Sequence, residues 1–300
     1  MSGRIVCFGE LLLRLGAPGR ERLLQTPHLE VRIGGAEANV AVSLARFGHR
    51  TALVGSLADN ALGDAALGEL GRHGVDAHAV EQNFAAVLRR SGRMGLYFLA
   101  TGAGHRPSEV LYDRADSAFA NTGNTHYDWP AALTGAALLH VSGVTPALGQ
   151  TTADAAIAAA RAARSAGAMV SFDGNYRPKL WAAWDGDPQT ILRGLIAEAD
   201  IAFADHRDIA VVLGQDNDTT DDPGARFAAV AARSFASFPN LQRIATTVRT
   251  QHSVDDHSMS ALMATRDGAL HTTPTYALHN IVDRIGAGDA FAAGVLHAIL

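Results

Sequence analysis

Short apolar runs alternate with amphipathic stretches along most of this chain. Arg4 to Gly9 is an apolar run stopped by Gly9-Glu10, which predicts a buried first strand. Runs at 51–55, 138–142, 168–173, 201–205, 244–248 and 260–265 have the same character and predict further strands, the last followed by a turn at Asp267-Gly268. Val40, Leu44 and Phe47 recur at helical spacing, and Gly48 ends that helix. Helices are also predicted over 62–73, 151–166, 188–199 and 225–236. Such β/α alternation predicts a mostly parallel sheet with helices on both faces. Two segments break the rhythm. Residues 11–33 contain Pro18, Gly19 and Pro27, while 94–100 and 109–113 are β-rich runs separated by Gly102, Gly104 and Pro107, a hairpin with a long loop. Segments 11–33 and 89–114 together predict a small β lid over the main sheet. Asp216–Asp222 is acidic and predicts a solvated surface loop.

The most informative stretch comes late. In Asp283-Arg284-Ile285-Gly286-Ala287-Gly288-Asp289-Ala290-Phe291, two glycines flank a small residue, an aspartate follows, and an apolar run reaches Leu300. The run predicts a helix from Ala287 or Gly288 onward. The first N–H groups of a helix lack intrahelical partners and carry the positive end of its dipole. With Gly286 and Gly288 leaving bare backbone beside them, Gly286, Ala287 and Gly288 can form a phosphate-sized anion hole. Asp289, in the first turn, could take a proton from an attacking hydroxyl. The plainer alternative is a Gly-rich helix start with Asp289 as a charge partner for the dipole. Gly34-Gly35-Ala36-Glu37-Ala38-Asn39 is a second candidate: paired glycines allow close approach of a ligand, and Asn39 can bond hydroxyls, unless the segment is a plain capping loop. Glu10 stands at the C-terminal end of the first strand, where open parallel sheets bind ligands.

Composition narrows the classes. A chain of 300 residues, 48% of them hydrophobic, suits one large or two modest globular domains. Net charge is −5 and no basic stripe occurs, which argues against nucleic acid. No apolar run approaches the roughly 18 residues of a membrane span, and the first residues do not resemble a secretory signal, so the expectation is a cytoplasmic protein without a membrane partner. The single cysteine, Cys7, lies in the first apolar run and reads as a buried, inert thiol. The histidines are scattered without metal-ligand spacing, and no direct protein metal site is expected.

GGAEAN near the start and DRIGAGDAF near the end jointly resemble the PfkB/ribokinase family of carbohydrate kinases. Gly95-Leu96-Tyr97, Tyr112-Asp113-Arg114, the His140–Leu148 segment and Asp173–Trp181 look like its 2-keto-3-deoxygluconate kinases. The resemblance spans the chain. It implies a ribokinase-like (Rossmann-like) α/β fold with a small β-sheet lid over residues 1–300. ATP and Mg²⁺ are the expected cofactors, a sugar acid the partner, and self-association through the lid is common among relatives. Carried over by position, Asp289 is the catalytic base and Gly286, Ala287 and Gly288 the anion hole. Gly34, Gly35 and Asn39 line the sugar site. Tyr97, Tyr112, Arg114 and Arg177 match sugar-acid contacts, with Arg177 the first choice for the carboxylate and Arg114 the second. Asn175, Asp208 and Arg249 fall on the nucleotide side. On residues alone, Tyr97 and Tyr112 could simply pack, and Arg114 could be a solvated edge charge.

Four departures accompany the resemblance. Arg284 stands where the family has a small residue or Thr. The family's Asn-x-x-Glu appears as Asp205-His206-Arg207-Asp208, whose last carboxylate could still hold metal-bound water. Thr246 to Thr250 lacks the expected glycine loop. Only 11 residues follow Asp289, fewer than in relatives. A kinase for fructose, ribose or a ketodeoxygalactonate, or a sugar-acid-binding protein without turnover, remain as alternatives. A nicotinamide-dependent oxidoreductase is disfavoured because the first strand leads into Gly-Glu, not GxGxxG.

Overall fold

A computed structural model describes residues 3–77, 86–215 and 220–300. The first strand, Arg4–Phe8, lies in the middle of a large sheet, and every one of its residues is buried. Its side chains alternate between two cores: Val6 and Phe8 join Phe172 and Leu192 on one face, Ile5 and Cys7 join Leu44 and Ala293 on the other. Burial pushes the Cys7 thiol pKa well up, so the thiol stays protonated as expected.

Six strands run parallel across the sheet's centre: Arg243–Gln251, Ile201–Phe203, Met169–Asp173, Ala136–Ser142, Arg4–Phe8 and Thr51–Ala58. Short strands Val75–Asp76 and Val87–Arg90 also pair with Thr51–Ala58. His257–Thr265 then turns the far edge antiparallel, and Leu270–Thr272 and Tyr276–Leu278 pair with it. Strand order reverses between Arg4–Phe8 and Ala136–Ser142, since later strands add outward on one side and Thr51–Ala58 on the other. A crevice off the C-terminal ends at such a reversal is where open α/β sheets bind ligands.

The helices follow their sequence signals. Asp187 and Asp222 cap Pro188–Glu198 and Pro223–Ser237, each with proline at the first helical position. Asn60 caps Ala61–Arg72 in the same way. Strand 201–205 ends at Phe203 because Asp205 caps the next helix, His206–Leu213. Strand 244–248 instead continues to Gln251, since β-branched Thr246, Thr247, Val248 and Thr250 keep pairing with the returning strand. Of the acidic loop 216–222, residues 216–219 lie outside the described residues.

A second sheet of four strands stands apart, ordered Glu30–Gly34, Leu12–Gly16, Leu96–Ala100, Glu109–Asp113. Its two inner strands are parallel and the outer pairs antiparallel. The segments expected to leave the main sheet therefore pair with each other. No helix of the described residues is long and apolar enough to cross a membrane.

Candidate active site

The chain leaves the small sheet at Gly34 and enters the helix Ala36–Arg46 through Gly35. A Cβ on Gly35 would collide with the carbonyl oxygen of Glu10, so bare backbone is needed for this crossing. Glu37, in the helix's first turn, points into the protein and is 1% exposed. Its Oε1 accepts from Ser142 N (3.0 Å), Ser142 Oγ (2.7 Å) and Thr145 Oγ1 (2.7 Å), which ties the helix to the end of strand Ala136–Ser142. Asn39, two residues on, donates from Nδ2 to Asp289 Oδ2 at 2.7 Å.

Asp289 reaches that point from the other end of the chain. Gly286 takes φ 84°, ψ 1°, the left-handed conformation that glycine adopts without strain, and caps the helix Ala287–Ile299. That helix packs beside Ala36–Arg46, so the two glycine motifs, 250 residues apart, meet at one hydrogen bond. Asp289 is 8% exposed. Burial raises its pKa to about 6, with the Glu37 charge adding to the rise; the Asn39 bond and the Arg177 charge oppose it.

A cavity of about 680 Å³ opens over these residues and is walled by both halves of the chain. Gly35, Asn39, Tyr97, Tyr112, Arg114 and Arg177 line one part. Gly286, Ala287, Gly288 and Asp289 lie with them, and Asn175, Asp208 and Arg249 line the same space. Gly34 lies one residue back, paired with Leu12 in the small sheet. Arg177 is an exposed residue at the cap of the short helix Pro178–Trp181. Arg114 is no solvated edge charge: it is 7% exposed, and its Nε donates to Glu10 Oε2 at 2.6 Å. Packing did not claim Tyr97 and Tyr112 completely either, because both reach the cavity.

On the far side, Asn175 sits at φ 38°, a left-handed conformation that asparagine tolerates. Asp208 has two roles. Its Oδ2 accepts from Asp205 N (3.0 Å), while Asp205 Oδ1 accepts from Asp208 N (3.1 Å), so the Asp-x-x-Asp motif is a capping box for its helix. Its Oδ1 accepts from Tyr176 N at 3.3 Å. Burial, with the nearby Asp205 charge, lifts the Asp208 pKa to about 6. Asp173, at the end of its strand, is raised well above the carboxylate range by burial and then by the charges of Asp289 and Asp208. Among the described residues no group of three or more His, Cys, Asp or Glu is placed to hold a metal ion.

Sequence reasoning passed over Glu37, Asp173 and Arg14. Glu37 had a readable signal: it lies three, four and seven residues before Val40, Ala41 and Leu44, on the buried stripe of its helix. Asp173 ends a strand whose other residues are apolar except Ser171. Arg14 of the small sheet pairs with Asp283 at 2.5 Å, and Asp283 Oδ1 also accepts from Ile285 N (2.9 Å) just before Gly286. Nothing local in the sequence marks that contact.

Acids held above their ordinary pKa make the folded, ligand-free protein bind more protons than the unfolded chain. The contribution of Asp208 and Asp289 is intact below about pH 4 and is lost as pH rises through about 6. Burial holds the His140 pKa down to about 4, which contributes in the opposite direction over the same window, so the test is a difference: Tm of Asp289→Asn minus that of wild type should rise between pH 4.5 and 7. A constant difference would show that Asp289 ionises without penalty.

The pfkB family carbohydrate kinase profile matches residues 2–300. A 2-dehydro-3-deoxygalactonokinase from Haloferax volcanii is 31% identical over 300 residues, which cover 100% of this chain and 85% of that protein. The crystal structure of a 2-dehydro-3-deoxygluconokinase from Thermotoga maritima superposes with a TM-score of 0.89 at 36% identity, covering 99% of this chain and 87% of that one. A fructokinase from Xylella fastidiosa with bound ATP superposes at 0.75 with 25% identity, covering 100% and 82%. By matched length, fold and motif placement alike, the chain belongs to the pfkB family of carbohydrate kinases.

Proposed function

We propose that the chain phosphorylates 2-keto-3-deoxygluconate at its C6 hydroxyl, with ATP as donor and the product 2-keto-3-deoxy-6-phosphogluconate. The observation that carries this reading is the shared cavity: Gly286, Ala287, Gly288, Asp289 and the exposed Arg177 line one space. Arg177 has no hydrogen-bonded carboxylate among the described residues, and a planar guanidinium suits two-pronged binding of a substrate carboxylate. With the acid end held there, the sugar's far hydroxyl points to Asp289. Asp289 accepts the hydroxyl proton as that oxygen attacks the γ-phosphorus in line, and Asn39 fixes the orientation of the carboxylate that receives it. The amides of Gly286, Ala287 and Gly288 hold the charge on the transferring group. A base pKa of about 6 leaves Asp289 mostly ionised at neutral pH yet basic enough to take a proton.

The residues fit a hydrated Mg²⁺ held mainly through phosphates. Both Asp208 oxygens already accept from backbone amides, so a cation would be reached through its water, and its charge would favour ionisation of Asp173 and Asp208. When bound, Mg²⁺ would neutralise phosphate charge during transfer. Asn175 and Arg249 face the phosphates from the chain's side. The small sheet acts as a lid that keeps water from competing for the phosphoryl group. Its exposed Val31 and Leu111 support self-association through that face.

The second reading is the 4-epimer, 2-keto-3-deoxygalactonate, favoured by the name of the Haloferax relative. An ADP-release assay over both sugar acids, fructose and ribose tests the substrate. The gluconate-derived acid should have the highest kcat/KM. Better turnover of fructose or ribose would overturn the sugar-acid assignment, and a preference for the galactonate-derived acid would move it to the epimer.

A further inference from the structure

Glu10 is a buried acid for which phosphoryl transfer has no direct use. It is 2% exposed just past the end of the central strand Arg4–Phe8, and three segments converge on it. Gly35 passes its carbonyl so closely that no side chain fits there. Gly95, at the start of a small-sheet strand, leaves room for its carboxylate in the same way. Arg114 Nε donates to Oε2 at 2.6 Å and Ser117 Oγ to Oε1 at 2.5 Å. The side chains of the Arg114–Glu10 pair are 6% and 1% exposed, so water screens the pair little.

Arg114 nevertheless reaches the sugar part of the cavity. Its Nε is committed to Glu10, and among the described residues its terminal nitrogens make no hydrogen bond. We propose that Glu10 is a positioning and charge-setting residue: it aims the terminal nitrogens of Arg114 at the sugar and cancels that arginine's charge, so Arg114 donates to a neutral hydroxyl or keto oxygen while Arg177 alone reads the carboxylate. The proposal rests on the sugar-kinase reading and divides the work of its two arginines. A guanidinium already paired in a dry site offers directional donors but little net attraction for an anion. Arg177, exposed and without such a partner, offers both.

The test compares three proteins: wild type, Glu10→Gln, and Glu10→Gln with Arg114→Met. The readout is the ratio of kcat/KM for 2-keto-3-deoxygluconate to that for fructose, with the KM for ATP as control. Glu10→Gln keeps the shape and removes the counter-charge, so Arg114 becomes a second cation. The ratio should rise about tenfold in favour of the acid, with the KM for ATP unchanged. In the double variant, which buries neither charge and should fold, the ratio should return to the wild-type value while both sugars bind more weakly. An unchanged ratio in Glu10→Gln, or a rise that persists without Arg114, overturns the proposal. So does a double variant that loses the acid preferentially, which would show that Arg114 reads the carboxylate; this arm stands even if Glu10→Gln fails to fold. If the wild type turns over only neutral sugars, the substrate reading fails. The same ratio, taken from inhibition by the acid against the neutral sugar, then still decides the role of Glu10.

Discussion

Asp289→Asn should lower kcat by roughly a thousandfold, within the range that a positioned base contributes, while the affinity for the sugar changes little. The substitution keeps the shape, and an amide oxygen can still accept from Asn39. What it removes is the lone pair that takes the hydroxyl proton. The same change should raise the stability of the free protein at pH 8. Burial holds the Asp289 pKa near 6 against an ordinary 3.8, so keeping it ionised costs up to about 3 kcal/mol. Loss of turnover together with a gain in Tm is a paired signature that a merely structural aspartate would not give. ADP release within tenfold of wild type, measured with saturating sugar and ATP, would remove Asp289 from the base role.

Arg177→Lys should raise the KM for the sugar acid roughly 30- to 100-fold and leave a neutral sugar nearly unaffected. Lysine preserves the charge but replaces a planar fork with a point charge on a flexible stem. Arg177 lies at the cap of a four-residue helix on the surface, and among the described residues its side chain makes no hydrogen bond, so the fold should tolerate the change. It also sits close enough to lower the pKa of both Asp173 and Asp289. Lysine, still cationic, should keep that influence, which separates sugar recognition from effects on the base. Equal losses for acid and neutral sugar, compared by KM, would count against the carboxylate assignment.

The parallel sheet was legible because most of its strands are short, mainly apolar runs, and several of the helices between them carry their own caps. The small sheet was legible as two irregular segments, but its pairing was not. The parallel match of Leu12–Gly16 with Leu96–Ala100 joins residues some eighty positions apart, and no local pattern sets that register. The site divides in the same way. Gly286 and Asp289 stood out as a glycine-flanked helix start with an acid in its first turn, a pattern that by itself also fits a simple charge partner for the helix dipole. Their meeting with Asn39 depends on the packing of two helices from opposite ends of the chain. Arg114 was assigned to the sugar side, with a solvated edge charge as the alternative; its pairing with Glu10 could not be read, because only the fold brings the two together. The Asp205–Asp208 motif was read for metal chemistry, and its capping role emerges only with the backbone around it.

The contact between Arg14 and Asp283 joins the small sheet to the turn that leads into the Gly286–Gly288 amides. Both side chains are partly wet, so the pair is worth no more than about 1 kcal/mol. On the proposed reading, a link that weak would leave the sheet free to move while passing part of that movement to the turn beside Asp289.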